Sequence, residues 1–195
     1  MANEHTAIRL IVGLGNPGDK YTGTRHNAGF RFADELVHRH GETFRQHARI
    51  RSELTRVEIA GERCHVLKPL TMMNRSGQAI AAVANYYTIP PEAILVAHDD
   101  LDLPPGTVRV KRGGGHGGHN GLRSTLSALS SREFQRLRIG IGHPGHADDV
   151  VAYVISRPSP DDRRAIDAAV DEAVDAMTLI FEGAVDKAIQ RLHSR

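Results

Sequence analysis

Four short stretches of this chain gather residues able to do chemistry. They are Asn16 within Gly13-Leu14-Gly15-Asn16-Pro17-Gly18, His26 within Thr24-Arg25-His26-Asn27, the carboxylates of His98-Asp99-Asp100-Leu101-Asp102, and His119-Asn120 within the glycine-rich stretch 113–121. An imidazole titrates near neutrality, so His26 suits a general base that draws a proton from water. There are 12 histidines, so residue type alone singles out none; what marks His26 is its nearness in sequence to the Asn16 loop. Asp99 follows a buried apolar run, which suits a carboxylate that orients a histidine and stabilises its imidazolium; capping a turn and binding a metal are the alternatives. The Asn16 carboxamide can donate and accept toward a peptide, or Asn16-Pro17-Gly18 is simply a tight turn. Stretch 113–121 holds six glycines, whose backbone amides can approach a ligand closely and form an anion-binding nest. A mobile surface loop is the bland alternative, but glycine linkers rarely carry His and Asn in their midst. Asn74, in Thr71-Met72-Met73-Asn74-Arg75-Ser76-Gly77, is either a substrate-binding amide or the residue that opens a helix.

Gly13 to Gly18 also spells G-x-G-x-x-G. A dinucleotide fingerprint needs a helix opening inside the motif and an acid at the end of a second strand. Here Pro17-Gly18-Asp19 and Gly23 prolong a turn, and Asp34 and Glu35 fall within a helical pattern, so the motif is read as a decoy.

These stretches need elements to hold them. Ile8 to Val12 reads as a buried strand and 27–41 as a helix ended by Gly41. Ile50 to Ile59 and Cys64 to Leu67 flank a hairpin turn at Ala60-Gly61-Glu62. Ser76 to Tyr87 is a helix stopped by Pro90 and Pro91, and Ile94 to Ala97 a buried strand ending at His98-Asp99-Asp100. Strands at Thr107 to Lys111 and Leu137 to Ile141 surround the glycine-rich loop and a helix from Gly121 to Leu129. The last third is helical, with Ser159 as N-cap, Pro160 at the first helical position, and Ile166, Val170, Ala173, Met177, Phe181, Val185, Ile189 and Leu192 as its apolar stripe. Strands alternating with helices predict an α/β fold: one domain over 1–195, with a mixed, largely parallel twisted sheet covered by helices on both faces.

With 195 residues, 40% of them hydrophobic and 25% charged, the composition is that of a globular domain and excludes disorder, collagen and coiled coil. No stretch approaches a membrane span, and Met1 to His5 lack the pattern of a secretory signal, so a cytoplasmic protein is expected. Cys64 is the single cysteine, which excludes disulfide scaffolds and multi-cysteine zinc sites. The net charge of +2 conceals a division. Residues 107–138 hold seven basic residues against one acid, whereas residues 148–186 hold ten acids against three bases. A basic middle segment suggests a one-sided field for a polyanion.

Taken together, the chain resembles the bacterial peptidyl-tRNA hydrolases over nearly its whole length. The resemblance rests on residues 11–18, Tyr21 with 24–29, Met73-Asn74 with Ser76-Gly77, 96–99 with Pro104-Pro105-Gly106, 113–121 and 136–145. It implies hydrolysis of the ester joining a peptide, or an N-blocked amino acid, to the 3′ ribose of tRNA, by a monomeric enzyme that needs no metal or cofactor. By position His26 matches the general base and Asp99 the carboxylate holding it. Asn16 matches the residue that helps tell blocked from unblocked substrate, Asn74 and Asn120 match substrate-binding amides, and Tyr21 matches a contact to the tRNA end. His119 and Met73 are assigned to oxyanion stabilisation or support. Lys111, Arg123 and Arg138 are expected at tRNA phosphates. Met72 stands where many relatives carry an aromatic residue, and its thioether can still pack on a base. After Gly145, His146-Ala147-Asp148-Asp149 lacks the basic residue some relatives carry. Two rivals are a non-enzymatic RNA-binding member of the same fold and a metal hydrolase using His116, His119 and Asp99.

Overall fold

Along β1 (Leu10–Gly13), Leu10 and Val12 face one side of a sheet and Ile11 the other, and each side meets its own layer of helices. The structure is a computed structural model that describes residues 7–194; Met1 to His5, read above for targeting, lie outside the described residues. After β1 come α1 (Ala28–Arg39), β2 (Arg45–His47), β3 (Ser52–Ile59), β4 (Glu62–Pro69), α2 (Ser76–Tyr86), β5 (Ile94–Asp100), β6 (Val108–Arg112), α3 (Asn120–Leu129), β7 (Gln135–Gly140), α4 (Val150–Val154), α5 (Pro160–Phe181) and α6 (Val185–His193).

The strands form one sheet in the order β2-β3-β4-β1-β5-β7-β6. Its centre, β4-β1-β5-β7, is parallel, and both flanks are antiparallel. On one face α1, α5 and α6 bury Phe32, Leu36, Val170, Ala173, Met177 and Leu192 against Ile11, Leu95 and Ala97. On the other, α2 and α3 bury Ile80, Val83 and Leu122 against Leu10, Val12, Ile94 and Val96. This is the mixed, largely parallel α/β architecture expected. No helix among the described residues is long and apolar enough to cross a membrane.

Local rules explain the boundaries. The Ser159 hydroxyl accepts from the Asp162 N–H at 3.1 Å, with Pro160 opening α5, as its N-cap pattern predicts. Gly183, at φ +77°, then breaks the apolar stripe into α5 and α6 where the sequence suggested continuous helix. The β3–β4 hairpin turns at Ala60 and Gly61, both exposed and both at positive φ.

Chain order sets where ligands go. From β1 the chain passes out to β4 and returns through α2 to β5 on the other side of β1. The carboxyl ends of β1 and β5 therefore flank a topological switch point, the usual crevice for ligands in open α/β sheets. A close helix approach closes this crevice. A Cβ on Gly13 would stand 2.3 Å from the Gly29 carbonyl oxygen, and one on Gly29 would stand 2.3 Å from that of Ala97. Only glycine lets α1 sit this near β1 and β5, which brings the turn before α1 over the end of β5.

Candidate active site

Every one of the four polar stretches reaches the switch point. The strand β5 extends past Ala97 to Asp100, so His98 and Asp99 are strand residues, both 3% exposed. Both Asp99 oxygens lie 2.9 Å from His26 Nδ1, and Oδ1 also lies 2.8 Å from His119 Nε2. One carboxylate thus holds two imidazoles, whose ring centroids are 4.9 Å apart. The turn-capping role falls to the neighbouring Asp100, whose Oδ1 accepts from the Asp102 N–H at 2.9 Å.

The tautomers follow from the partners. An ionised carboxylate only accepts, so His26 donates from Nδ1 and, when neutral, keeps its lone pair on Nε2. No hydrogen bond engages His26 Nε2 among the described residues. His119 Nδ1 accepts from the Gly121 and Leu122 N–H groups at 3.1 and 3.3 Å, capping α3, so its proton resides on Nε2 and is donated to Asp99. Both His119 nitrogens are therefore committed. The ring supports Asp99, and its geometry does not suit oxyanion donation.

The electrostatics agree. Burial lowers the His26 pKa, but the Asp99 charge and hydrogen bond outweigh it and raise the imidazole above its ordinary value. Burial of Asp99 opposes ionisation, yet the adjoining imidazoles of His26 and His119, by their electrostatic attraction and hydrogen bonds, hold its carboxyl well below the usual carboxylate range. His98 is pushed down to about 4, first by burial and then by the His119 imidazole beside it, so it is neutral near pH 7. Its Nδ1–H donates to the Asp99 carbonyl at 2.7 Å.

Ligand atoms of His26, Asp99 and His119 lie within 4.8 Å of one another, close enough to consider a metal. A metal on His119 Nε2 would move the ring proton to Nδ1, where two backbone N–H groups already point. His116, proposed as a ligand in the rival reading, turns its Nδ1 to the Gly118 N–H at 3.0 Å and is not in the cluster. The donor set fits a proton network better than a metal site.

The asparagines are locked from behind. Asn27 Oδ1 accepts the Asn16 N–H at 2.8 Å while its Nδ2 donates to the Asn16 carbonyl at 3.0 Å. Asn16 Oδ1 accepts the Met73 N–H at 2.7 Å. The sequence suggested that Asn16 would both donate and accept toward a ligand; its acceptor is spent on Met73, so only the Nδ2 donor is left. The Met73 N–H thus fixes which way the Asn16 carboxamide is turned. Asn120 is alike: its Oδ1 accepts from Arg123 Nη1 at 2.8 Å, leaving Nδ2. Asn74 is exposed in the 3-10 turn that precedes α2 and does not cap that helix, which removes its helix-capping alternative.

Around this centre Met72 is 45% exposed, and the Tyr21 carbonyl accepts from the Thr24 hydroxyl at 2.7 Å, tying Tyr21 to the His26 turn. Lys111 and Arg123 are exposed, whereas Arg138 is partly buried with its Nε 2.7 Å from Asp100 Oδ2. The glycine-rich loop is anchored. Arg136, 4% exposed, donates to the Gly115 carbonyl and, at 2.5 Å, to the Gly114 carbonyl. Sequence reasoning missed Arg25, Asn27, His98 and Arg136. Only His98 carried a signal, a polar residue at the end of a buried apolar run.

Comparison with known proteins converges on one family. The family model described as peptidyl-tRNA hydrolase matches residues 10–195. Curated relatives of that name include those of Halorhodospira halophila, 57% identical over 194 residues, and Alkalilimnicola ehrlichii, 54% identical over 196; each match covers 100% of both chains. Among solved structures, the peptidyl-tRNA hydrolase of Acinetobacter baumannii superposes with a TM-score of 0.91 at 44% identity, covering 95% of this chain and 94% of that one.

Proposed function

Since the chain belongs to the peptidyl-tRNA hydrolase family, we propose that it hydrolyses the ester between a peptide, or an N-blocked amino acid, and the 3′ end of tRNA, with His26 as the general base. The observation that carries this is the His26 Nδ1–Asp99 pair with Nε2 unengaged. Nε2 takes a proton from water as the oxygen attacks the ester carbonyl. The tetrahedral intermediate places negative charge on the former carbonyl oxygen, which needs donors. The Nδ2 groups of Asn16 and Asn120, whose Oδ1 atoms are engaged by Met73 and Arg123, can supply them. The acyl C–O bond then breaks, and the imidazolium returns its proton to the departing ribose oxygen. Asp99 stabilises the transient imidazolium throughout.

The same donors account for substrate choice. A peptidyl or N-acyl group offers a carbonyl oxygen beyond the α-nitrogen, which an asparagine N–H can meet. Free aminoacyl-tRNA instead offers an ammonium, a donor and a cation, which would face those N–H groups with nothing to accept them; for the buried Asn16 an unmet donor costs about 1–3 kcal/mol. In this reading Met72, Asn74 and Tyr21 contact the 3′ end of the tRNA. Lys111, Arg123 and Arg138 meet phosphates without reading sequence. We further propose that the enzyme works as one domain and as a monomer in the cytoplasm, without metal or cofactor.

The test is release of the N-blocked amino acid from N-acetyl-aminoacyl-tRNA beside unblocked aminoacyl-tRNA, with a chelator present and His26→Ala as control. Selective, chelator-resistant, His26-dependent cleavage is expected. Folded protein that binds tRNA without cleaving it would reduce the reading to RNA binding, and loss of activity with the chelator would reinstate a metal.

A further inference from the structure

Arg25 is 8% exposed, and its Nε is buried with no hydrogen-bond partner among the described residues. Its backbone N–H donates to the Ser156 carbonyl at 3.1 Å. Its Nη1 donates to the Ser156 hydroxyl at 2.7 Å and to the Arg157 carbonyl at 3.0 Å. Asp162, the nearest carboxylate, is 3.7 Å from Nη2, and the guanidinium lies 4.0 Å from the Tyr153 ring centroid. The Tyr153 hydroxyl in turn donates to the Ile141 carbonyl at 2.6 Å, and the Ile141 N–H donates to the Asp100 carbonyl at 3.0 Å. Asp100 follows Asp99, and Asp99 holds His26, the residue after Arg25. The contacts form a closed circuit: His26, Asp99, Asp100, Ile141, Tyr153, Arg25 and back.

We infer that Arg25 and Tyr153 are a positioning pair for the general base, fixing the His26 turn against the same strand end that carries Asp99. The inference rests on the base role given to His26 above. Asn27 pins this turn to the Asn16 loop on one side, and the Arg25–Tyr153 arm pins it on the other. A buried guanidinium is weak evidence for stability, since an apolar residue fills such a space at less desolvation cost. What the guanidinium supplies is direction: its Nη1 meets two carbonyls and a hydroxyl of Ser156 and Arg157, just beyond α4, while its plane lies over the Tyr153 ring of α4. The titratable groups facing His26 are Asp99 from β5 and His119 from the loop before α3. A slackened turn therefore shows as a weaker hold of Asp99 on the imidazole.

The experiment compares Arg25→Lys, Tyr153→Phe and the double variant with the parent on N-acetyl-aminoacyl-tRNA across pH. Arg25→Lys is expected to lower kcat about tenfold, since small misplacement of a reacting group is costly, with KM within about twofold. The acid limb of kcat/KM should move to lower pH, as it does in Asp99→Asn. Tyr153→Phe should act in the same direction to a lesser degree, and the double variant should be no slower than Arg25→Lys, because both break one circuit. Unchanged kcat and acid limb in folded Arg25→Lys, or additive losses in the double variant, would overturn the inference. If Arg25→Lys does not fold, the loss of a single hydroxyl in Tyr153→Phe decides by the same two readings. A fully active His26→Ala would instead sink the base assignment itself.

Discussion

Replacing Asp99 by asparagine tests more than charge. The carboxylate accepts from His26 and His119 at once, whereas a carboxamide accepts on one oxygen and turns N–H groups toward the second ring. One imidazole must then change tautomer or rotate away, so kcat should fall on the order of a thousandfold. The acid limb of the rate profile carries a sign. In the parent, Asp99 raises His26 above its ordinary value against the pull of burial, so activity rises with pH through a pKa above about 6.5. In Asp99→Asn only burial is left, and the residual activity should rise through a lower pH; an unmoved limb would mean the two groups are not coupled. His98 makes an opposite demand on stability. Its folded pKa of about 4 is depressed, so its contribution is intact above the ordinary value near 6.5 and is lost as pH falls toward 4, roughly 3 kcal/mol in all. His98→Asn should flatten the fall of Tm over that range. His26 and Asp99 were legible in the sequence because each adjoins a glycine-rich turn or a strand end. Asn27, Arg25 and Arg136 were not, because their partners lie 11 to 132 residues away and nothing local announces them.

At the scale of elements, the approach of α1 to the sheet decides whether the base reaches its carboxylate. Gly29→Ala places a methyl against the backbone of Ala97 and Leu14, which cannot yield as a side chain would. A loss of about 3 kcal/mol is expected from such overpacking, with kcat reduced in whatever protein stays folded; denaturant titration beside single-turnover rates would show both. Arg136→Met should free the carbonyls of Gly114 and Gly115 and loosen the loop that carries His119 and Asn120, read as faster amide exchange over 113–120 and a raised KM. If exchange there is unchanged, the loop is held by other means. Periodicity revealed the long elements: the stripe of α5 and the alternation in β1 and β5 each have a buried face to enforce them. It did not reveal β2, whose three residues are all exposed, or the five-residue α4, since neither is long enough to show a period. Strand β5 ends within His98-Asp99-Asp100 as expected, and its last polar residues, His98 and Asp99, are buried.

For the whole molecule, the charge division becomes a division of labour. Acids of α5 are largely answered by cations elsewhere: Arg39 bridges to Asp171 and Asp175 at 2.7 and 2.6 Å, Arg191 reaches Asp175 at 3.1 Å, and Arg31 meets Asp167. The basic segment forms β6, the glycine-rich loop, α3 and β7 along one edge of the sheet, where Arg112–Glu133 is an exposed pair at 3.4 Å. Lys111→Ala should therefore raise KM and flatten its dependence on salt by about one unit of slope. Arg138→Ala should do the same and also lower kcat, because it releases Asp100 beside the catalytic carboxylate. An unaltered salt slope would leave Lys111 a solvated charge and confine Arg138 to its pair with Asp100. The β3–β4 hairpin has a separate use. Because β4 runs parallel to β1, its first residue follows a turn at the amino-terminal rim, the whole length of the sheet away from the chemistry. An exposed two-residue tip of this kind is where inserted peptides are best tolerated. A fluorophore or surface tether grafted at Ala60-Gly61 would leave the catalytic rim facing solvent, so single enzyme molecules could be immobilised and watched through successive turnovers.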